Sequence, residues 1–357
     1  MNSSLRVIVG ALLLCGLGSV SAAGIPLSVE LKAQTSKSSP GESITWQITN
    51  QSSESVYVLR WETPLDGLSR SLFDVSYKGQ PVRYMDKLVH WGHPESKDFV
   101  KIAPGQTLSA EVNLAASYEM INAGDYTISF DGQLSYMVAA DEKSGHVEDL
   151  GATRVDADAV QLYSMGRSPG YYQALGAPSG PLEFTKAAAY ASCSSSRQTI
   201  LASAHSQAKT YSANSVSYLN AGSTGARYTT WFGSYTSSRY STVKSHFTKI
   251  NTALIGSTIT YDCYCQPSSA SAYAYVYPSQ PYRIHLCNAF WSAPTAGTDS
   301  RGGTIIHEMS HFTVNGGTGD YAYGQSSAKS LAKSNPNTAV QNADNHEYFA
   351  ENTPYQN

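Results

Sequence analysis

Apolar and polar positions swap residue by residue through the first half of the chain. The runs Leu27 to Leu31, Ser43 to Ile48, Ser55 to Leu59, Thr107 to Leu114 and Asp125 to Phe130 all carry this period of two. Such a period places one set of side chains in a core and the other in water. The turn formers Ser39-Pro40-Gly41, Lys78-Gly79 and Ala103-Pro104-Gly105 separate the runs. Many short strands with turns between them predict an all-β, immunoglobulin-like sandwich over residues 24–163. From residue 187 to the end the pattern becomes mixed, an α+β region. Helices are predicted at Ala187–Ala191, Gln198–Tyr211 and Tyr240–Ile250, and short strands at Ser257–Tyr261, Ala272–Tyr277 and Arg283–Leu286. A further helix runs from Gly302 to Thr313, with Ile305, Met309 and Phe312 on its packing side and Gly316-Gly317 as its stop. Between the halves, residues 164–186 carry Gly166, Pro169-Gly170, Gly176, Pro178, Gly180 and Pro181. Glycine and proline at that density predict an exposed, cleavable linker.

Length and charge narrow the choice. A chain of 357 residues accommodates two domains, each with its own core. A net charge of −3 with no basic stripe gives no reason to expect a nucleic-acid partner. The N-terminus says more. Arg6 precedes an apolar run from Val7 to Leu17 and the small residues Gly18-Ser19-Val20-Ser21-Ala22-Ala23. That is the layout of a signal peptide, residues 1–23, and implies a secreted product. The run is shorter than the ~20 residues of a membrane span. No later segment is apolar enough to cross a bilayer, so no membrane association is expected after export, and the product is expected to be a monomer. A lipid anchor on Cys15 is the rival reading, disfavoured by Leu14 where a small residue is needed. The remaining cysteines, Cys193, Cys263, Cys265 and Cys287, lie in the second half. An even set in an exported domain predicts two disulfides, with three possible connectivities.

The chemistry concentrates in His307-Glu308-Met309-Ser310-His311. Histidines four apart on a helix point the same way, one turn apart, and close on one metal ion, with Glu308 beside the gap to move a proton. A catalytic zinc needs a third protein ligand. The metzincin solution requires glycine and histidine where this chain has Val314 and Gly317, so it is excluded. A glutamate from a later helix, Glu347, is one remaining option. The other is Asp320, carried back towards the metal by the glycines of Gly317-Thr318-Gly319.

The stretch from Gly317 to Gly324 reads Gly-Thr-Gly-Asp-Tyr-Ala-Tyr-Gly. Together with the HExxH element it resembles the signature of the aspzincins, the deuterolysins and peptidyl-Lys metalloendopeptidases, at every fixed position and at the family's spacing. The resemblance covers about residue 187 to the end and implies a zincin-like catalytic domain over 187–357 with one zinc ion per chain. It implies His307, His311 and Asp320 as ligands, Glu308 as base, and Tyr323 as a stabiliser of the transition state. It also implies bridges from Cys193 to Cys263 and from Cys265 to Cys287.

Downstream, Asp344 and Glu347 stand three apart in a helical stretch and share one face. Two carboxylates lining a pocket attract one compact ammonium. Lysine-specific aspzincins carry such a pair, so the resemblance implies cleavage on the amino side of lysine. The sum is a secreted zinc endopeptidase acting on proteins or peptides. It is made as a zymogen whose N-terminal half is an intramolecular inhibitor or chaperone. Secreted bacterial aspzincins include exotoxins, which extends the expectation to host protein. A permanent binding module, an adhesion protein on an inactive peptidase fold, and a cell-wall peptide amidase are the alternatives. His90 and His93 are read as polar surface residues, and His205, His246, His285 and His346 as polar or packing residues without ligand spacing.

Overall fold

The computed structural model describes residues 26–33, 42–138, 151–168, 171, 182–184 and 188–357. The expected signal peptide, Cys15, the Ser39-Pro40-Gly41 turn and most of the expected linker lie outside them.

The N-terminal strands form two antiparallel sheets. One has the order β1 (Leu27–Ala33), β2 (Ser43–Asn50), β8 (Thr107–Asn113). The other has β5 (Gln80–Pro81), β4 (Phe73–Tyr77), β9 (Gly124–Val138), β3 (Val56–Leu59) and β7 (Phe99–Ile102), with β10 (Gly151–Asp156) and β11 (Val160–Ser164) also on β9. Alternation does what the sequence predicts. In β2, Ile44, Trp46 and Ile48 are fully buried while their neighbours are not. They meet Phe73, Ile128 and Phe130 of the other sheet in one core, with Trp46 edge-on to Phe130 at 5.8 Å between ring centroids. Apolar burial of this kind is worth about 1.5–3 kcal/mol per large side chain.

The C-terminal half is built differently. β13 (Ala188–Ala191), β14 (Ile259–Asp262) and β16 (Arg283–Leu286) run parallel, and β15 (Ala274–Val276) joins β16 antiparallel. Ala188–Ala191, expected as a helix, is therefore a strand. All four residues are buried, so pairing and packing override alanine's helical preference. β12 (Leu182–Phe184), expected in the linker, pairs antiparallel with β13. The helices Ser195–Asn220 and Ser237–Gly256 contain the stretches predicted helical and pack on the site helix, Arg301–His311. Bridges join Cys193 to Cys263 and Cys265 to Cys287. Each such bridge contributes typically ~2–4 kcal/mol.

One strand crosses between the halves. β6 (Leu88–His90) comes from the N-terminal half, yet it pairs antiparallel with β15 and completes the order β12-β13-β14-β16-β15-β6. Among the described residues no helix is long and apolar enough to cross a membrane.

Candidate metal centre

The site helix starts on Ser300, whose hydroxyl oxygen accepts from Gly303 N at 3.0 Å. Every residue from Gly302 to His311 is buried. Gly303 has a specific reason to be glycine. A Cβ there would stand 2.1 Å from Glu351 Oε1 and 2.8 Å from Glu347 Oε1. Its absence lets the C-terminal helix, Ala343–Glu351, close on the site helix and bring its acids under His307.

After the helix, Gly317 takes φ +61° and the chain turns back. The returning loop is pinned by Asn342. Its Oδ1 accepts from Tyr321 N at 2.7 Å and Ala322 N at 3.1 Å, and its Nδ2 donates to the Ala322 carbonyl at 3.0 Å. Asp320 is thereby set between the histidines. Its Oδ1 lies 3.2 Å from His307 Nε2 and 3.4 Å from His311 Nε2.

These three donors suit a metal. His311 Nδ1 donates to the Thr318 carbonyl at 2.9 Å, which leaves the Nε2 lone pair free. His307 Nδ1 lies 3.0 Å from Asp344 Oδ1 and 3.3 Å from Glu347 Oε2, though it points squarely at neither. A proton on that nitrogen is the one the acids favour, which frees Nε2 on the other side. Both Nε2 atoms, both Asp320 carboxylate oxygens and both Glu308 oxygens are buried without a hydrogen-bond partner among the described residues. Leaving that many buried polar atoms unpaired is costly, and a cation among them removes the cost. Two imidazoles and one carboxylate are protein ligands of the kind a catalytic zinc takes.

The charges respond to burial. Burial pushes the His311 imidazole down to about 4. Burial works against charging His307 too, but Asp320, Asp344 and Glu347 together hold it well above its ordinary value. Burial raises Glu308 well above the ordinary carboxylate range, and raises Asp344 and, to about 8, Glu347.

Glu347 does not sit with the metal-facing atoms. It lies with Asp344 on the Nδ1 side of His307, while Asp320 lies on the Nε2 side. Asp344 Oδ2 accepts from Gly324 N at 2.6 Å, while both Glu347 oxygens are buried and unpaired. Tyr323 is brought to the same place, and its hydroxyl donates to the Val89 carbonyl at 3.2 Å.

The metallopeptidase model described as "Lysine-specific metallo-endopeptidase", an aspzincin model, matches residues 217–351. An "Extracellular protease" from Aeromonas hydrophila is 38% identical over 87% of this chain and 88% of its own length. A "Peptidyl-Lys metalloendopeptidase" from Grifola frondosa is 43% identical over 79% of this chain and 77% of its own. A solved zinc peptidase from Grifola frondosa is 57% identical, covering 46% of this chain and all of its own, with a TM-score of 0.44. The chain belongs to the aspzincin family.

It is therefore a zinc metalloendopeptidase acting on proteins or peptides, with a zincin-like domain of mixed helices and sheets. That disposes of the adhesion-protein alternative. The sequence reading of His90 is overturned. His90, expected at the surface, is only 3% exposed and stacks on His307 at 3.7 Å between ring centroids, whereas His93 is exposed. The β6–β15 pairing draws it in. His90, His307, Asp344 and Glu347 form a second group of metal-type donors beside the first. Four further participants were missed: Thr318, which orients His311; Asn342, which pins the loop; and Arg70 and Val89 from the far half. Arg70 Nη1 donates to the Asp320 carbonyl at 2.8 Å. For Arg70 and Val89 no local signal exists, because their partners lie 250 and 234 positions away.

Proposed function

We propose that this aspzincin is an exported endopeptidase that cuts on the amino side of lysine and is made as a proenzyme. One zinc per chain is held by His307, His311 and Asp320. The observation that carries the reading is the meeting of those three side chains, their metal-facing atoms buried and unpaired, with a second buried acidic pair behind His307.

When bound, zinc supplies Lewis acidity, so that water loses a proton near neutral pH. The chain's own groups do the rest. Glu308 takes that proton and passes it to the leaving amine. Tyr323 donates a hydrogen bond to the carbonyl oxygen under attack. Asp344 and Glu347 receive the lysine ammonium of the residue after the bond. Glu347, neither of whose oxygens accepts a hydrogen bond among the described residues, is the stronger candidate for a direct contact, and Asp344 is shared with Gly324 N. The peptidyl-Lys names of the relatives support this substrate class.

Export is supported by the signal-peptide layout of residues 1–23, the two disulfides and the relative named an extracellular protease. The zymogen reading is supported by the N-terminal half lying across the site, with β6 on the catalytic sheet and Arg70 on the Asp320 loop. In this reading residues 24–163 are the prodomain and residues 164–186 contain the activating cut, which leaves Leu182–Phe184 on the mature side or frees it.

The test is a proteome-derived peptide library digested by the intact chain and by chain nicked in the linker, with bonds identified by mass spectrometry. Cuts are expected before lysine from the nicked form only, stopping with a chelator. Glu308→Gln is expected to slow them on the order of 10³-fold. Glu347→Gln is expected to erase most of the lysine preference while leaving residual cleavage. Cuts indifferent to lysine would sink the specificity, and full activity of the intact chain would sink the zymogen.

A further inference from the structure

The proenzyme reading says that the N-terminal half covers the cleft; the contacts of β6 say how. Without β6, strand β15 would be the antiparallel edge of the catalytic sheet, and a peptide adding to such an edge takes its affinity from backbone pairing and its register from side-chain pockets. β6 does this, with Leu88 opposite Val276, Val89 opposite Tyr275 and His90 opposite Ala274. Tyr273 N adds a bond to the His90 carbonyl at 2.9 Å.

The register is informative. The Val89 carbonyl is the one that receives the Tyr323 hydroxyl. The next side chain, His90, enters the space beside the acidic pair, with Nε2 3.4 Å from Glu347 Oε2 and 3.8 Å from Asp344 Oδ1. Its ring also stacks on Tyr273, at 5.0 Å between centroids. Three positions before His90, the Lys87 ammonium donates to Gln266 Oε1 at 3.0 Å, Ser268 Oγ at 3.0 Å and Ser269 Oγ at 3.1 Å. Lys87 is 9% exposed, so its charge is held by a built cradle of three oxygens on the catalytic half.

Resting on the lysine-pocket reading above, we infer that Lys87–Trp91 is a decoy substrate, lying with Val89–His90 where the scissile bond belongs, and that Gln266, Ser268 and Ser269 form a subsite for a basic side chain at the third position before that bond. Histidine in place of lysine makes it a decoy. An imidazole is shorter than a lysine side chain and offers a single N–H from its tip, where an ammonium offers three. The acids are covered without being fully satisfied, and the ring stays stacked on His307.

The inference predicts that the decoy converts into a substrate. In full-length His90→Lys chain loaded with zinc, water's oxygen bonds to the Val89 carbonyl carbon, the carbon–nitrogen bond breaks, and the new amine of residue 90 leaves with water's proton. Intact mass spectrometry is expected to show fragments ending at Val89 and beginning at residue 90, absent when Glu308→Gln is added. An uncut bond there, in a preparation that cuts lysine peptides once its linker is nicked, would overturn the register.

A second measurement needs no activity. In the Glu308→Gln background, His90→Asp places a third carboxylate against Asp344 and Glu347. Hydrogen exchange at residues 88–91 and 273–276 is expected to quicken at least about 10-fold, with residues 44–48 unchanged; unaltered exchange in the first two segments would refute the docking of His90. If both hold while lysine peptides resist the nicked enzyme, the substrate class fails and the decoy survives as a plug. For the subsite, lysine at the third position before the bond is expected to raise kcat/KM about 5-fold or more over glutamate in the nicked enzyme, and Gln266→Ala to reduce that ratio. Equal rates would remove the subsite.

Discussion

The two halves of the molecule bury their strands in opposite ways. In the N-terminal half strands such as β1 and β2 have one wet face, so Ile44, Trp46 and Ile48 alternate with half-buried neighbours, while the short β3 is buried throughout. In the C-terminal half the parallel strands are covered on both faces, and Ala188–Ala191 is buried throughout. Every group assigned to the reaction lies in the second half, yet the first half is not a bystander. It places one strand on the catalytic sheet and one imidazole in the acidic pocket. A β-rich module is well suited to this, because an antiparallel sheet can extend a strand that pairs with another sheet's edge.

The largest expected effect tests whether the first half supplies a plug or a ligand. Two adjacent donor groups share His307, one containing Asp320 and the other His90. If the centre is His307, His311 and Asp320, full-length Asp320→Ala should lose its zinc in elemental analysis after dialysis, while His90→Ala keeps about one per chain. Zinc lost with His90→Ala would make the first half part of the metal centre and erase the contrast between the halves.

A buried pair of histidines gives the second half an acid-sensitive contribution to its stability. His346 Nδ1 donates to the Asn342 carbonyl at 2.9 Å, so its Nε2 must accept, and His246 Nδ1 donates to it at 3.0 Å. Both rings are neutral. Burial pushes His246 down to about 4 and His346 to about 3. In the unfolded chain both return to about 6.5 and take protons first as pH falls. Stability from this pair is complete above about pH 6.5 and drains as pH drops towards the folded values, at up to about 1.4 kcal/mol per pH unit for each ring. Buried carboxylates in the same half, Glu347 and Glu351 among them, are raised and push the opposite way, so the pair is isolated against a His246→Phe variant. Between about pH 6.5 and about pH 4.5 the catalytic half should weaken in urea by more in the parent chain than in that variant; equal changes would contradict the neutral pair.

A smaller effect probes helix packing. Gly303→Ala pushes a methyl into Glu351 and Glu347 and should cost about 1–3 kcal/mol in thermal or urea unfolding, with no comparable loss in the sandwich. A neutral substitution would mean that the acids yield easily and that the close helix approach is not what places them.

Much of this was legible in the residues. The strands β1, β2, β8 and β9 lie where alternation put them, because one-sided burial writes itself into period two; β3 also lies where expected, though it is buried on both faces. The helix bearing His307 and His311 was legible through its packing stripe and glycine stop. Asp344 and Glu347 could be paired because three residues apart on a helix is a local relation. Ala188–Ala191 could not be read, since short apolar runs look alike as buried strand or helix. His90 was misread for another reason: nothing in Leu88 to His90 states that its pairing partner lies at Ala274 to Val276.

The sequence by itself determined the reaction class, the chain's division into β-rich and mixed halves, and the identities of the groups on the site helix. These rest on short-range spacing, which a helix or strand converts into direction. Tertiary structure alone decided how closely Gly303 lets the two helices approach, that Asp320 and the Asp344–Glu347 pair lie on opposite sides of the His307 ring, and that an imidazole from the other half lies beside that pair. Those relations join residues far apart along the chain, and only the packing of a whole core fixes such distances.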